Sequence, residues 1–483
     1  VGCILKKIIL ACGLGLCSSL AQTHSVDFNS TPQFNVPEIG SGIGLLDQQK
    51  ERAIGEKVYR EVHRQLPVTQ NPWLEDRLLA VFTHILSQTQ ISEPVGLLLI
   101  NDAQINAFAV PGGLFALNAG LINSARNMDE VAGVMAHEIA HVSQRHYSRS
   151  QEAFKGQGLL SLAGILVGAL VASQADGDVG AAVMMGSQAA LMDKQLTYSR
   201  NQEREADRIG MQYMYRAGYN PQSMADFFEV MHRATSRVSF LPDFWLTHPL
   251  TTERMSEARL RANQLPPVKT SLLDQDFEIL KWYSRVLSGQ VTEQQLDAMV
   301  AQKNYAAELA LVSLQVQQGD YAAAQKILND AKLQNANHAL LLLLQTDVYL
   351  GQNKIQEALT TIRSPAVVMP ENRALNYKYA EALIRNKEFG QAQIILQRFL
   401  QSNPRDVSGW RLMLQLANAD KSGAYRSVNV LRYRAEVEYW TGQEESAIKS
   451  LLQAQRLAKD SKSLEAKVKQ RVGEMQKERM LKI

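Results

Sequence analysis

The sequence predicts a mainly α-helical protein in two parts, a compact domain with a small β-sheet and then an α-solenoid. Three observations predict it. Apolar residues recur at helical spacing, as in Val131, Val134, Met135 and Val142. Short apolar runs separated by turn residues cluster between residues 95 and 117. Beyond Leu265-Pro266-Pro267, a glycine-and-alanine pattern returns at steps near 34 residues.

The chain has 483 residues, enough for two or more real cores. Apolar content of 46% with 20% charged residues fits a folded globular protein and argues against a disordered one. The net charge of +3 falls to +1 without the first 21 residues, because Lys6 and Lys7 leave with no acid. Neither value is the electrostatic footprint of a nucleic-acid binder.

Residues 1–21 read as a secretory signal. Lys6-Lys7 precede a 13-residue stretch, Ile8 to Leu20, and Ser19-Leu20-Ala21 offers small residues for cleavage near Ala21. An uncleaved anchor and a lipoprotein signal at Cys12 are the alternatives, the latter with a poor preceding match. All three cysteines (Cys3, Cys12, Cys17) lie in this segment, so the mature chain is read as disulfide-free in an oxidising compartment. Residues 22–48, rich in Ser, Thr, Asn, Pro and Gly, read as an extended lead-in.

Residues 49–265 form the first domain. Helices are expected at 48–66 and 73–88. Val95–Ile100, Ile105–Val110 and Leu114–Leu117 are expected strands, the last two around Pro111-Gly112-Gly113. A helix should run over 129–145, opened by Asn127 with Glu130 three residues on. Leu159–Ala172 is a 14-residue apolar run, short of a membrane span. It reads either as a core helix or as an interfacial, gating element with peripheral membrane contact. Residues 174–180 read as a mobile loop. A second long helix should cover 197–217 and stop at Gly218.

Residues 270–483 are helical and repetitive. Gly319-Asp320-Tyr321 with Ala324, Gly351 with Ala358, Asn386 with Phe389 and Ala392, and Gly442 with Ala447 mark four units. The first two steps, 32 and 35 residues, approach the 34 of a tetratricopeptide repeat; the last, 56, implies a degenerate or interrupted unit. Each repeat packing on its neighbours would let this part fold alone. The basic tail, with Lys467, Lys469 and Arg471, reads as a solvated face.

The chemistry centres on His137-Glu138-Ile139-Ala140-His141. On a helix the two histidines lie one turn apart on one face, close enough to share a metal ion, typically Zn²⁺. At about 100° per residue Glu138 falls inside the apolar stripe, a costly place for a carboxylate without a task. It is placed to serve as general base. Catalytic zinc takes a third protein ligand. Glu203 can supply it, and Asp207, one turn on, can hold a histidine's far nitrogen. Gly210 and Met214 share that face. Glu205 points the other way and reads as surface. His248, in Thr247-His248-Pro249, could steady an oxyanion or fill the fourth metal position at rest. Arg254 would stabilise charge nearby.

These motifs, with the Asn106–Gly113 stretch NAFAVPGG, SRNQEREAD (199–207) and THPLTTER (247–254), occur in one order over about residues 50–260. In that order they resemble the HtpX-like and CAAX prenyl-endopeptidase family. The resemblance implies a gluzincin-type zinc metallopeptidase domain, with one Zn²⁺ per chain on His137, His141 and Glu203 and Glu138 as base. With the signal and the repeats, the whole chain resembles a periplasmic Gram-negative metalloprotease and chaperone of outer-membrane protein assembly. That implies misassembled β-barrel proteins as clients and the barrel-assembly machinery as a partner of the repeat domain. An extended substrate could add as a strand beside 105–117, touching Asn106, Phe108, Val110, Gly112 and Gly113. The rival reading is a repeat-based binding module in which proteolysis is secondary.

Overall fold

The computed structural model describes residues 48–91, 93–153, 189–235, 248–268, 276–335 and 337–480. The expectations for 1–21, for 22–47, for the apolar run 159–172 and for the loop 174–180 lie outside these residues. Among the described residues no helix is long and apolar enough to cross a membrane.

Two helices open the described chain, α1 (Gln48–Gln65) and α2 (Pro72–Leu86). Asn71 starts α2 by accepting the Leu74 N–H at 3.0 Å, and Pro72 occupies a position whose N–H needs no partner. Trp73, Leu74, Leu78, Val81, Phe82 and Ile85 bury one side of it.

Three strands follow, β1 (Gly96–Ile100), β2 (Ala107–Val110) and β3 (Leu114–Asn118). The order is β1-β3-β2, so the last strand in sequence is central. It runs parallel to β1, with Gly96 opposite Leu114, and antiparallel to β2, with Ala107 opposite Leu117. Here the sequence-based expectation needs correction. Residues 114–117 are paired on both sides and cannot accept a further strand. Gly112 and Gly113 adopt left-handed φ of 81° and 72°. Their carbonyls accept the N–H groups of Val95 and Gly96. A side chain at 112 would collide with the Glu51 carbonyl of α1, so this turn packs closely on that helix. The edge open to an added strand narrows to β2.

The helices around the sheet are α3 (Ala119–Ser124), α4 (Met128–Ser143), α5 (His146–Ala153), α6 (Ala189–Arg216), α7 (Gln222–Thr235) and α8 (Thr252–Gln264). Neither α3 nor α5 was legible from periodicity. Asn127 does cap α4, accepting the Glu130 N–H at 2.9 Å. The reciprocal bond differs from a capping box: Glu130 accepts from the Arg126 N–H at 2.7 Å. Helix α4 is also buried all round from Met128 to Ala140, not along one stripe, and Val142 is only half-buried.

The second part comprises α9 (Phe277–Leu287), α10 (Glu293–Val300), α11 (Tyr305–Gln318), α12 (Tyr321–Gln334), α13 (Ala339–Gly351), α14 (Ile355–Val368), α15 (Arg373–Arg385), α16 (Phe389–Ser402), α17 (Val407–Ala419), α18 (Arg426–Trp440), α19 (Glu444–Leu457) and α20 (Lys462–Arg479). Helices α11 with α12, α13 with α14 and α15 with α16 pack as hairpins. Their first helices, and then α17, begin at 305, 339, 373 and 407, each 34 residues apart. The marker residues Gly319, Gly351, Asn386 and Gly442 lie at the turns inside hairpins. The 56-residue step skips the turn at Asp420 after α17, which lies 34 residues after Asn386 and 22 before Gly442.

The proline boundary at 265–267 is not a packing boundary. Val58, Tyr59 and Val62 of α1 and Phe108 and Val110 of the sheet share one apolar core with Leu431, Tyr439, Leu451 and Val472. The last helices therefore close back on the first domain, and the picture of repeats that pack only on each other has to be revised. Polar contacts reinforce the join. Arg60 pairs with Glu444 at 2.7 Å and lies 4.6 Å over the Tyr439 ring. Arg373 of α15 reaches Glu75 at 2.6 Å and Asp76 at 2.9 Å on α2, and Asp406 at 2.8 Å.

Replacing Arg373 by Met should strand these three carboxylates against one another. The expected loss is roughly 2–4 kcal/mol, below the fully buried limit because Glu75 and Asp76 keep some exposure. Burial raises the pKa of both acids even beside Arg373. A carboxyl whose folded pKa is raised holds its proton more tightly when folded, so stability falls as pH rises through that pKa. Thermal melting of Arg373→Met should therefore show its largest deficit at neutral pH, shrinking as pH falls into the carboxylate range.

Candidate metal centre

The site is made where α6 crosses α4. Gly210 permits the crossing: a Cβ there would lie 2.8 Å from the Ala136 carbonyl oxygen and 3.0 Å from the His137 Cα. The close approach carries Glu203 and Asp207, two turns and one turn earlier on α6, to the histidines of α4. A loop residue, His248, arrives from the third side. His137, Glu138 and Glu203 are each only 2% exposed, Asp207 6% and His248 8%.

Four side chains converge. The Nε2 atoms of His137 and His141 are 3.1 Å apart. Glu203 places Oε2 3.3 Å from His137 Nε2 and Oε1 3.4 Å from His141 Nε2. His248 Nδ1 lies 3.1 Å from Glu203 Oε1 and 3.4 Å from His137 Nε2. A tetrahedral ion with bonds of about 2.0–2.1 Å separates its ligand atoms by about 3.3 Å. One donor atom from each of the four residues falls within a 4.8 Å cluster.

The charges fit the same reading. Glu138, Glu203 and Asp207 are three buried carboxylates facing one buried guanidinium, Arg254, which leaves two negative charges for a divalent cation. Burial opposes charge at both helix histidines and pulls His141 down to about 3. At His137 the Asp207 and Glu203 carboxylates override burial and push the ring up to about 10. Burial likewise opposes ionisation of Glu203, yet His248, His141 and Arg254 hold its pKa well below the usual carboxylate range. The ionised Glu203 carboxylate and the neutral His141 ring are the protonation states that bind metal, and a divalent cation at His137 Nε2 would displace the proton that Asp207 and Glu203 hold on that ring. Among the described residues, Glu138 Oε1 has no hydrogen-bond partner; the His248 Nε2 is 3.5 Å from it. A buried, unsatisfied carboxylate oxygen beside the cluster suits a proton acceptor.

The surrounding residues orient this set. Asp207 Oδ1 stands 3.0 Å from His137 Nδ1, the nitrogen turned away from the cluster. Arg254 grips Asp207 with two bonds, Nε to Oδ2 at 2.7 Å and Nη2 to Oδ1 at 2.8 Å. Its Nη1 is 3.0 Å from Glu203 Oε2 and also donates to the Pro249 carbonyl at 2.8 Å. Arg254 thus ties the His248 loop to α6, a more specific role than the charge stabilisation expected for it.

Of the expected strand contacts, Asn106 is buried and its carbonyl accepts the Asn118 N–H at 2.9 Å. Phe108 and Val110 turn their side chains into the shared core. The β2 backbone is paired within the sheet on its β3 side alone. Two residues at the site went unrecognised in the sequence. His146 Nδ1 lies 3.0 Å from His141 Nδ1, and Glu205, read as surface, is 3.1 Å from His146 Nε2. Five-residue spacing from His141 carries no helical signal, because α4 ends and Arg145, at φ 53°, turns the chain between them.

Comparison with known proteins agrees with this geometry. Residues 69–262 match the model of peptidase family M48. A putative beta-barrel assembly-enhancing protease of Vibrio cholerae is 30% identical over 490 aligned positions, covering 97% of this chain and 98% of the relative. The chain belongs to this branch of the M48 peptidases. The beta-barrel assembly-enhancing protease of Escherichia coli K12 is 31% identical over 81% of the chain and 82% of its own length. A shorter match, 31% over 35% of the chain, is to the mitochondrial metalloendopeptidase OMA1 of Saccharomyces cerevisiae. The activity is that of a metalloendopeptidase, and His137, His141, Glu203 and His248 form a cluster able to hold a metal ion.

The crossing at Gly210 gives a direct test. Gly210→Ala should push α6 from α4 and lower metal retention after dialysis, measured by elemental analysis. Gly473→Ala, a helical position with open space around the added methyl, should leave retention unchanged.

Proposed function

We propose that the chain is a zinc-dependent endopeptidase of the Gram-negative periplasm that degrades misfolded or stalled outer-membrane β-barrel proteins during assembly. The observation that carries the chemistry is the convergence of His137, His141, Glu203 and His248 on one point beside the unsatisfied Glu138 carboxylate oxygen. Borderline-soft zinc suits two or three imidazoles with one carboxylate. The client class is taken from the names of the Vibrio and Escherichia relatives, which span most of the chain. The signal at 1–21 would deliver the protein to that compartment.

When bound, zinc supplies a Lewis acid that makes a water acidic and polarises the scissile carbonyl. Glu138 accepts the proton of the attacking water and passes it to the leaving amine. Asp207 keeps His137 in the tautomer that presents Nε2. The backbone of β2 aligns an extended peptide by strand addition, which gives affinity with little sequence selectivity. His248 occupies the fourth side of the cluster and so restrains the resting enzyme until its ring moves. The 34-residue step of the helical hairpins supports the tetratricopeptide reading, and we assign to that part the docking of clients or of the barrel-assembly machinery.

Purified protein should carry about one zinc per chain, and Glu203→Ala or His137→Ala should lose most of it; full retention in Glu203→Ala would move the third ligand elsewhere. Glu138→Gln should keep zinc and fold while losing most cleavage of casein. The same variant separates the two readings in cells. Envelope integrity sustained by Glu138→Gln would make client binding the main task and proteolysis secondary.

Replacing His248 by Ala should leave zinc bound and raise proteolysis. A fall of roughly 10²–10³-fold would instead assign it to transition-state stabilisation, and unchanged kinetics would exclude both roles.

A further inference from the structure

Beyond the four residues of the cluster, a second set of polar side chains runs outward from His141. His146 is 3% exposed. Its ring meets that of His141 edge-on, with centroids 4.8 Å apart and planes at 83°, and the two Nδ1 atoms are 3.0 Å apart. The opposite nitrogen, Nε2, is 3.1 Å from Glu205 Oε2, which Arg149 also contacts at 2.9 Å. The Gln202 amide donates to the His146 carbonyl at 3.0 Å and fixes the start of α5 against α6.

Tautomer logic gives this chain a direction. If His141 offers Nε2 to the metal, its proton sits on Nδ1. That N–H then donates to His146 Nδ1, which must be an acceptor. The His146 proton is therefore on Nε2, where it donates to the Glu205 carboxylate. Every nitrogen has one consistent role. The arrangement also balances the other metal histidine, whose far nitrogen faces Asp207 directly. Helix α6 thus serves the centre three times: Glu203 in the cluster, Asp207 behind His137, and Glu205 behind His141 through an intervening ring. Glu205 lies away from the Glu203–Asp207 face, so only a side chain from another element can bridge the gap. Arg145, a non-glycine residue held at a left-handed φ of 53°, places His146 there.

We propose that His146 is a positioning residue for His141, holding the metal-binding tautomer and ring orientation through the relay His141–His146–Glu205. The proposal rests on the metal-site reading above and predicts something that reading does not require. Outer partners of this kind typically set metal affinity by 10–100-fold.

The test is the zinc dissociation constant of the full chain, measured by competition with a chromophoric chelator, with circular dichroism and melting of each metal-free protein alongside. His146→Phe keeps a ring in place but removes the acceptor, and should weaken zinc roughly 10–100-fold with helical content unchanged. His146→Asn returns an acceptor oxygen near the Nδ1 position and should stay within about three-fold of the original protein. Zinc bound equally tightly by His146→Phe, or as weakly by His146→Asn as by His146→Phe, would overturn the positioning role while leaving the metal site intact. Should His146→Phe not fold, Glu205→Ala decides. Several-fold weaker zinc supports the relay, and an unchanged constant refutes it. An unaltered protein that binds no zinc at all would remove the metal reading and this proposal together.

Discussion

The whole centre depends on one close contact, the crossing of α4 and α6 at Gly210. Without a Cβ at that point the two backbones approach until residue 210 touches the Ala136 carbonyl and the His137 Cα. That approach brings acids from one helix to histidines of the other. It also buries three carboxylates around one arginine, an arrangement that repels itself unless positive charge is added. Close packing and electrostatics therefore make opposite demands here, and a divalent cation meets both. A loose crossing would relieve the charge but lose the donor geometry.

Around this centre the structure builds rigidity outward. Arg254 joins Asp207, Glu203 and the Pro249 carbonyl, so the loop bearing His248 and the helix bearing the acids move together. His137 is backed by Asp207, and His141 by His146 with Glu205. Ligand rings held from behind lose little freedom on binding metal, which is how outer contacts translate into affinity. His248 differs in kind. It enters from outside α4 and α6, just before α8.

The second part of the chain is tied to the first by more than a linker. Its last helices complete the core under α1 and the sheet, and Arg373 clasps the start of α2. Helix α2 in turn packs on α4. A client held on the helical hairpins would thus sit on the same rigid body as the catalytic helix. Effective concentration, rather than a mobile tether, is the natural way for such a surface to aid cleavage.

The sequence alone determined which side chains gather at the candidate site. His137, Glu138 and His141 are legible because helical spacing converts a motif directly into a shared face. Glu203 and Asp207 follow from the same four-residue rule, and Asn127 marks the helix start. The hairpin markers Gly319, Gly351 and Asn386 reveal a period near 34, because turns demand particular residues at fixed places. Tertiary structure decided whatever depends on elements distant in sequence. The parallel pairing of β1 with β3 leaves no local trace, so the open edge had to shrink from 105–117 to β2. Gly112 and Gly113 look like a ligand loop until α1 is seen against them. His146 and Glu205 lie outside any periodic face, and a left-handed residue between helices brings them to the site. The shared core across Pro266-Pro267 was hidden for the same reason: a proline break reports the path of the backbone, whereas burial depends on which surfaces finally meet.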